Sequence, residues 1–380
     1  MGFETVKLKD LTINLDNKRK PLNELERKSL KKKGLYPYCG ANGVLDYIDE
    51  FIFDQEILCI AEDGGSWGFR EKCAYIINEP CWVNNHAHVL VAKENVNVKY
   101  LCYYLNYTDL SKHITGTTRG KLTKSALEKI EVKIPDYSTQ NKIVNALDKA
   151  QELIDKRKAQ IEALEQLVQS LFWEMFGTYL TSNRNKMFFG ELVKEFRYGT
   201  SVKSGEFGYP ILRIPNIVNG IIDESDLKYC ELPEKDFLKL KLQENDLLFV
   251  RTNGNPNYVG RCASVTKKQE GYVYASYLIR ARIDLDKLNT EYVTKYMNSV
   301  FGRHEIIQKA TTSAGQYNIN TEGLGNILIP VPPLNLQEDF ARKIKLIDAK
   351  KAILQRGLLE LENMFNSLMQ RAFKGELFND

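Results

Sequence analysis

The amino-acid sequence predicts an α+β fold in which two pseudo-symmetric α/β units are separated by two long antiparallel helices that pair as a coiled coil. Three observations lead to this fold: a repeat at an offset of 197 residues, a narrow apolar stripe in each repeated helix, and short apolar strands bounded by turns. The predicted boundaries are residues 1–139 and 181–335 for the units, and residues 140–180 and 336–380 for the central and C-terminal helices.

The repeat is clearest where each long helix begins. Ile134–Gln140 and Val331–Gln337 share a proline at the second position and a glutamine at the seventh, and the similarity continues along both helices. A repeat of this size indicates a duplicated globular module followed by a long helix, not a solenoid of short units. A duplicated module suggests a protein that holds its target with two similar units.

Apolar residues in both helices recur at alternating steps of four and three, interrupted only by Arg157 in the first helix and Lys351 in the second. This period predicts a left-handed coiled coil, and at 1.5 Å per residue each helix spans about 54 Å. An amphipathic helix commonly packs on its own globular unit, but so narrow a stripe favours the other copy as partner. The predicted helix–helix interface consists of Ile143, Leu147, Ile154, Ile161, Leu164, Val168 and Leu171 with Ile344, Ile347, Leu354, Leu358, Leu361, Phe365 and Leu368.

Each half contains the same order of short elements. In the first half, apolar runs predict strands at residues 56–61, 88–92 and 130–134 and a helix at residues 100–107. In the second half, strands are predicted at residues 246–251 and 277–283 and a helix at residues 292–298. Thr311–Ser313 is expected to occupy the place of Thr117–Arg119 in the repeat.

Composition sets the broad class of the protein. The chain has 380 residues, is 43% hydrophobic and 27% charged, and lacks an apolar run near the roughly 18 residues that a membrane helix needs. Its seven cysteines contain no C-x-x-C pair, and its N-terminus does not resemble a signal peptide. We therefore expect a cytoplasmic protein without membrane contact.

Three motifs that suggest an enzyme are each incomplete. Gly116–Leu122 has one residue too few between its glycines for a phosphate-binding loop, and Leu122 replaces the metal-binding hydroxyl residue. Asn255–Tyr258 resembles the Asn-Pro-Pro-Tyr motif of adenine methyltransferases, but no glycine-rich loop precedes it. Glu131–Lys133 has the E-x-K spacing of some nucleases but lies on a strand with ordinary alternation. The sequence thus predicts no catalytic residue and, with only Asn84–His88 as a polar cluster, no metal site.

Candidate nucleic-acid contacts lie on turns and in basic segments. The loop containing Thr117, Thr118, Arg119 and Lys121 is consistent with either a surface turn or a DNA contact, because hydroxyls and cations bind phosphates and base edges. The matching segment of the second half offers Thr312, Ser313, Gln316 and Tyr317. Further candidates are Lys18, Arg19, Lys20, Trp67, Asn84, Asn85, Arg251, Asn253 and Asn257.

Taken together, these motifs resemble the specificity subunit of a type I restriction–modification system over essentially the whole chain. The resemblance is carried by Tyr36–Gly43, Ile57–Gly65, Val83–His88, the Ile-Pro-x-x-x-x-Gln helix opening and Tyr198–Lys203, in that family's order. It adds Asn42, Lys203, Arg213 and Asn216 to the candidate contacts. Ile211–Asn216 stands where the first half has Tyr38–Gly43, so the two units represent different subtypes.

The resemblance implies two target recognition domains that each read one half of a bipartite double-stranded DNA target. It implies that the helices set the spacer and dock two methyltransferase subunits, which motor-nuclease subunits join in restriction complexes. The chain would bind no cofactor, with S-adenosylmethionine, ATP and magnesium on the partner subunits, and would itself be non-catalytic. The alternatives are a stand-alone adenine-N6 DNA methyltransferase and a coiled-coil scaffold that binds only protein.

Overall fold

The computed structural model describes residues 3–116, 119–182, 185–218, 220–313 and 315–378. The chain forms two compact units. The first unit comprises Met1–Ala159 and Gln355–Asp380, and the second comprises Gln160–Leu354. Each unit therefore contains one globular body together with one part of each long helix.

The first unit contains eleven described strands, four short helices and the beginning of a long one. The strands are β1 (Glu4–Lys7), β2 (Thr12–Asn14), β3 (Tyr36–Gly40), β4 (Gly43–Ile48), β5 (Ile57–Ala61), β6 (Ala74–Ile77), β7 (Trp82–Val83), β8 (Ala87–Ala92), β9 (Ile114–Thr115), β10 (Lys121–Leu122) and β11 (Glu131–Ile134). The helices are α1 (Leu8–Leu11), α2 (Glu24–Ser29), α3 (Val98–Tyr107), α4 (Lys124–Glu128) and the long helix α5 (Tyr137–Thr181), which ends in the second unit.

The second unit contains fourteen described strands. They are β12 (Lys186–Phe188), β13 (Val193–Tyr198), β14 (Tyr209–Leu212), β15 (Ile217–Val218), β16 (Ile221–Ile222), β17 (Lys228–Cys230), β18 (Leu247–Val250), β19 (Thr252–Asn253), β20 (Cys262–Ser264), β21 (Val273–Tyr274), β22 (Leu278–Ile283), β23 (Thr311–Ser313), β24 (Gln316–Asn318) and β25 (Leu328–Pro330). Its helices are α6 (Glu234–Leu240), α7 (Thr290–Asn298), α8 (Val300–Lys309), α9 (Thr321–Gly325) and the long helix α10 (Leu334–Phe373), which ends in the first unit.

The two units share one sheet topology. A four-stranded antiparallel sheet has the order β2-β8-β5-β6 in the first unit and β13-β22-β18-β20 in the second. A three-stranded sheet, β4-β3-β7 or β17-β14-β21, has one antiparallel and one parallel neighbour in each case. The closing strand pairs β1-β11 and β12-β25 also match. The pseudo-symmetric fold predicted from the repeat is therefore confirmed.

The central strand of each larger sheet is an uninterrupted apolar run, since the sheet is covered on both faces. All five residues of β5 and all four of β18 are buried. In the first unit, Leu58 and Ile60 point into a core that also receives Tyr100 and Leu101 of α3. In the second unit, Leu247 and Phe249 pack with Tyr292 and Val293 of α7. Both strands end abruptly in polar residues, which places those residues at a sheet edge.

Within each unit the two long helices run antiparallel. Lys158 of α5 forms an ion pair with Glu362 of α10 at 3.2 Å in the first unit. In the second unit Glu165 pairs with Lys351, and Phe172 lies 5.6 Å, ring centre to ring centre, from Phe340. Residues farther along α5 thus contact residues nearer the start of α10, which is the pattern of an antiparallel pair.

The predicted interface residues lie on the buried or half-buried side of these helices. Ile143, Leu147, Ile154, Ile344 and Leu354 are buried. The half-buried members are Ile161, Leu164, Val168, Leu171, Ile347, Leu358, Leu361, Phe365 and Leu368. Some of them also contact the globular bodies, since Ile143 and Leu147 belong to the same core cluster as α3 residues. The apolar stripe therefore packs against both the other long helix and the globular body. Both kinds of packing considered from the sequence occur together.

Candidate nucleic-acid interface

The loop that follows β5 gathers charged residues from four parts of the first unit. Glu62 and Asp63 end the buried strand, and Gly64 turns the chain with a positive φ of 67°. Arg19, His86, Arg119 and Lys121 all contact these two carboxylates. We call this group of six side chains the first cluster.

Glu62 joins two cations of the first cluster. One of its carboxylate oxygens accepts a hydrogen bond from Arg19 at 2.6 Å, and the other lies 3.0 Å from Lys121 Nζ. Burial by itself raises the pKa of Glu62, but the hydrogen bonds from Arg19 and Lys121 outweigh it, so the pKa lies below its usual value. Glu62 therefore remains ionised and holds Lys121 at the surface.

Asp63 joins the other two members. Its Oδ1 atom lies 2.8 Å from His86 Nδ1 and accepts a hydrogen bond from Arg119 Nη2 at 2.7 Å. The carboxylate is 16% exposed, whereas the Arg119 side chain is 65% exposed. Arg119 is thus anchored at one nitrogen and presents its remaining N–H groups to solvent, as a base or phosphate contact requires.

Several predicted contact residues lie around this cluster. Asn42 is exposed and donates to the Gly64 carbonyl at 3.1 Å, while exposed Asn85 directly precedes His86. Lys18 and Lys20 are exposed on either side of Arg19. Asn42, Arg119 and Lys121 thus lie together where β5 ends, and exposed Lys18, Lys20 and Asn85 are sequence neighbours of cluster members.

Three other candidates of the first unit have structural roles. Trp67 is buried and its indole N–H donates to the Ala61 carbonyl at 3.1 Å. Asn84 is buried and accepts from the His86 amide at 2.8 Å. Arg19 donates to the Ala87 carbonyl at 2.7 Å as well as to Glu62, so its donors hold the loop together. We remove these residues from the candidate surface, because their polar groups bond inside the protein. The sequence did not separate them from surface residues, since exposed turns and buried loops have similar compositions. Thr117 and Thr118 lie outside the described residues.

In the second unit, the strand after β18 joins a hairpin to form the small sheet β19-β24-β23. Thr252 Oγ1 donates to Gln316 Oε1 at 3.0 Å across two of its strands. Asn253 is paired with Tyr317, which is paired in turn with Thr312, and Ser313 is paired with Gln316. We call these residues, together with Arg251, the second cluster. Six of its seven members were predicted from the sequence as contacts, namely Arg251, Asn253, Thr312, Ser313, Gln316 and Tyr317, and Thr252 was not.

The loop that follows β19 carries Asn257. Asparagine side chains shape this loop, since the Asn255 amide donates to Asn253 Oδ1 and the Asn257 amide donates to Asn255 Oδ1, each at 2.9 Å. Arg303 braces the loop from α8 by donating to the Pro256 and Val259 carbonyls. Burial and the nearby charge of Arg261 lower the pKa of Arg303 to about 10. The methyltransferase-like sequence Asn255–Tyr258 is thus part of a turn.

Arg251 links the second cluster to a neighbouring cleft. Its guanidinium lies 5.0 Å from the ring centre of Tyr198, and its amide donates to the Tyr277 carbonyl at 2.8 Å. Tyr277 lines the cleft together with Lys203 and Arg213. The exposed Arg251, Tyr277 and Lys203 therefore extend the polar surface beyond the small sheet.

Arg213 and Asn216 have mainly structural contacts. Arg213 Nη2 donates to the side chain of Asp226 at 2.7 Å and to the Asp226 carbonyl at 2.8 Å. Asn216 is buried, accepts from the Arg213 amide and donates to the Asp223 carbonyl. Asn216 is therefore removed from the candidate surface. The ion pair with Asp226 restricts the Arg213 side chain.

Strand pairing corrects one alignment made from the sequence. The Leu122 amide donates to the Glu62 carbonyl, and the Ile319 amide donates to the Arg251 carbonyl, so Leu122 and Ile319 are equivalent. Arg119 is therefore equivalent to Gln316, not to Ser313 as the expected match of Thr311–Ser313 with Thr117–Arg119 implied. The misalignment arose because the two hairpins share hydroxyl-rich sequences at slightly different distances from their second strands.

Sequence reasoning also missed residues that organise the two clusters. Glu62, Asp63 and Thr252 are absent from the predicted contact residues, although each directly contacts one of them. The available signal was their position, since all three lie within two residues of the end of a fully apolar strand. Among the described residues, no group of three or more histidine, cysteine or acidic side chains is arranged to hold a metal ion. No helix in the described part of the chain has the length and apolar character to cross a membrane.

Comparisons with known proteins agree with the duplicated architecture. The family model "Type I restriction modification DNA specificity domain" matches residues 1–166 and 189–363. The EcoKI specificity subunit of Escherichia coli K12 is 28% identical over 289 residues, covering 70% of this chain and 62% of that subunit. A putative type I restriction enzyme specificity subunit of Haemophilus influenzae is 36% identical over 134 residues, covering 35% of this chain and 34% of that protein. The matches thus span less than two thirds of either relative.

A solved structure shares the fold. The crystal structure of a type I restriction–modification S subunit from M. genitalium superposes with a TM-score of 0.62, covering 98% of this chain and 96% of that one. Sequence identity between the two is 14%.

Proposed function

This chain belongs to the type I restriction modification DNA specificity family, and we propose that it is the DNA-binding specificity subunit of such a complex. Each unit reads one half of a bipartite double-stranded target. The main support is that two copies of the family's domain coincide with two units that carry polar clusters at equivalent sheet edges.

The two clusters, together with exposed residues next to the first cluster, have the side chains that this role requires. Exposed Lys18, Lys20 and Lys121 suit phosphate contacts, which give affinity without sequence preference. Arg119 and Asn42 in the first unit, and Asn253 and Gln316 in the second, have the donors and acceptors that distinguish base edges. We assign positioning on the backbone to the lysines and sequence recognition to the arginine and the amides.

We further propose that the chain is non-catalytic and binds no cofactor. In this proposal the long helices set the spacer between the half-sites and dock two methyltransferase subunits, which bind S-adenosylmethionine. Motor-nuclease subunits, which use ATP and magnesium, join when the complex restricts DNA. The cellular location in this proposal is the cytoplasm.

The test is a binding selection with the chain in complex with its methyltransferase subunits. A library of randomised duplexes is incubated with the complex at moderate salt, and the retained duplexes are sequenced. We expect a bipartite motif with a spacer of constant length. Retention of duplexes without any common motif would contradict the proposal.

Two controls separate the alternatives. Binding of S-adenosylmethionine by this chain alone, measured by calorimetry, would favour a stand-alone methyltransferase. Substitution of Arg119, Lys121 or Arg251 by alanine without loss of DNA affinity would favour a scaffold that binds only protein. The matched control is Lys239→Ala, which removes a positive charge from an exposed position on α6, outside both clusters and both long helices.

A further inference from the structure

Arg119 and Gln316 occupy the same position in the two units. Each lies two residues before the equivalent hairpin residues Lys121 and Asn318, with Arg119 in the bend before β10 and Gln316 at the start of β24. Both side chains are exposed. The duplicated fold therefore presents an arginine at one sheet edge and a glutamine at the other.

Each of these side chains is held by an equivalent neighbour. Asp63 and Thr252 are both the second residue after the central strand, and each is paired across strands with its own hairpin at Lys121 or Asn318. Asp63 accepts from Arg119 Nη2 at 2.7 Å, and Thr252 Oγ1 donates to Gln316 Oε1 at 3.0 Å. Both units thus pair a residue after the central strand with an exposed hairpin side chain. The first pair is a carboxylate with a guanidinium, and the second is a hydroxyl with an amide.

The anchored arginine has the donors for guanine. A guanidinium carries five N–H groups, and Asp63 uses one of them, so two parallel donors remain for the O6 and N7 acceptors. The side chain lies directly over Gly64, where an added Cβ would be 3.1 Å from Arg119 Nη2. The carboxylate and the glycine together restrict the guanidinium before DNA arrives, which reduces the entropy lost on binding.

The anchored glutamine has the groups for adenine. Gln316 Oε1 has two lone pairs, and the Thr252 hydroxyl occupies one. The second lone pair accepts from adenine N6, while the side-chain NH₂ donates to N7. A hydroxyl that donates to Oε1 also determines which end of the amide faces each base atom.

We propose that the Asp63–Arg119 pair reads a guanine in one half-site and that the Thr252–Gln316 pair reads an adenine in the other. Arg119 and Gln316 contact the bases, and Asp63 and Thr252 are positioning residues. The proposal rests on the proposed function, since it names the bases that each unit selects. Its main support is the hydrogen bond between the positioning residue and the base-contacting residue in each unit.

The decisive variant transfers the second pair into the first unit. Asp63→Thr combined with Arg119→Gln, in complex with methyltransferase subunits, is compared with the wild type in the randomised-duplex selection. We expect one guanine of the first half-site to be replaced by adenine, with the second half-site unchanged. A motif identical to that of the wild type would overturn the proposal.

Two single variants test the positioning roles and decide the proposal if the double variant does not fold. Asp63→Asn should lower the preference for that guanine roughly 10-fold, while affinity for unrelated duplexes stays constant or rises because a negative charge is lost. Thr252→Val should lower the preference for one adenine in the other half-site. The control Asp54→Asn removes an exposed carboxylate outside the cluster and should leave every preference unchanged.

The outcomes for the two proposals are distinguishable. A wild-type complex that retains no motif would refute the proposed function and this inference with it. A wild-type motif whose preferences are unchanged in Asp63→Asn and Thr252→Val would refute only the inference. Equal losses at every position of the motif would indicate a structural effect and would likewise overturn it.

Discussion

The glutamine that ends the helix-opening motif makes three hydrogen bonds inside each unit. Gln140 is 2% exposed, donates to the carbonyls of Pro135 and Asn95, and accepts from the Asn97 amide at 2.8 Å. Gln337 is fully buried and makes the equivalent bonds in the second unit, to Pro332, Lys287 and Asn289. The side chain therefore ties the start of a long helix to the turn before the short helix α3 or α7.

Substitution of Gln140 by methionine keeps the volume of the side chain but removes all three hydrogen bonds. Each bond contributes about 1 kcal/mol net, and each backbone group left buried without a partner costs at least as much. We therefore expect Gln140→Met to lower the free energy of unfolding of the first unit by at least about 3 kcal/mol. A loss of this size changes the population of opened molecules roughly 100-fold.

Hydrogen exchange followed by mass spectrometry measures this effect unit by unit. Peptides covering α3 and the start of α5 should exchange faster in Gln140→Met, while peptides of the second unit should be unaffected. The control is Gln166→Met on an exposed position of α5, where we expect a change below about 0.5 kcal/mol. If the two variants exchanged alike, the assignment of stability to this motif would be refuted.

Two further predictions concern buried charges. Burial raises the pKa of Asp16, but hydrogen bonds from His88 and Asn14 and the His88 charge lower it below its unfolded value near 3.8. The stabilisation by ionised Asp16 is therefore present above about pH 4 and is lost as pH falls. The free energy of unfolding, measured in urea, should thus decrease less between about pH 5 and 3 in Asp16→Asn than in the wild type. Arg280 is fully buried and donates to Glu195 at 2.7 Å, so Arg280→Met should cost about 3 kcal/mol in urea unfolding. Arg282→Met, whose side chain is 30% exposed, should cost less, and equal losses would contradict this account.

The long helices and the central strands are the parts of this fold that the sequence determines most directly. A stripe of period 3.5 and runs such as Ile57–Ala61 depend only on local spacing. The structure places the strands and the starts of both long helices close to the predicted bounds, whereas α10 ends at Phe373 and not at residue 380 as predicted. The polar residues were harder to assign, because Asn84 and Asn216 stabilise buried turns while Asn42 and Asn85 are exposed. All four occur in similar polar stretches of the sequence, so only the three-dimensional structure separates them.

The candidate site differs from the fold in a second way, since it depends on pairing between distant segments. Asp63 meets Arg119 across 56 positions of the chain, and Thr252 meets Gln316 across 64. Neither partner has a local signal, and the hairpin sequences align by their hydroxyl residues in a register that the strand pairing contradicts. The equivalence of Arg119 and Gln316 agrees with the 197-residue offset of the repeat, and the backbone bonds of Leu122 and Ile319 confirm it.

The two charged interruptions of the helical stripe have specific partners, and these partners specify the register of the helices. A Cβ built on Gly357 would be 2.2 Å from Arg157 Nη1, so the arginine occupies the space that the glycine leaves open. Lys351 pairs with Glu165 in the other unit's part of the helices. A slip by one heptad would move both cations by about 10 Å along the partner helix, away from the glycine and the carboxylate. An uninterrupted apolar stripe would tolerate such a slip, whereas these two residues oppose it at the cost of some apolar burial. In the proposed function the two helices set the distance between half-sites, and that role would require a fixed register more than maximal stability.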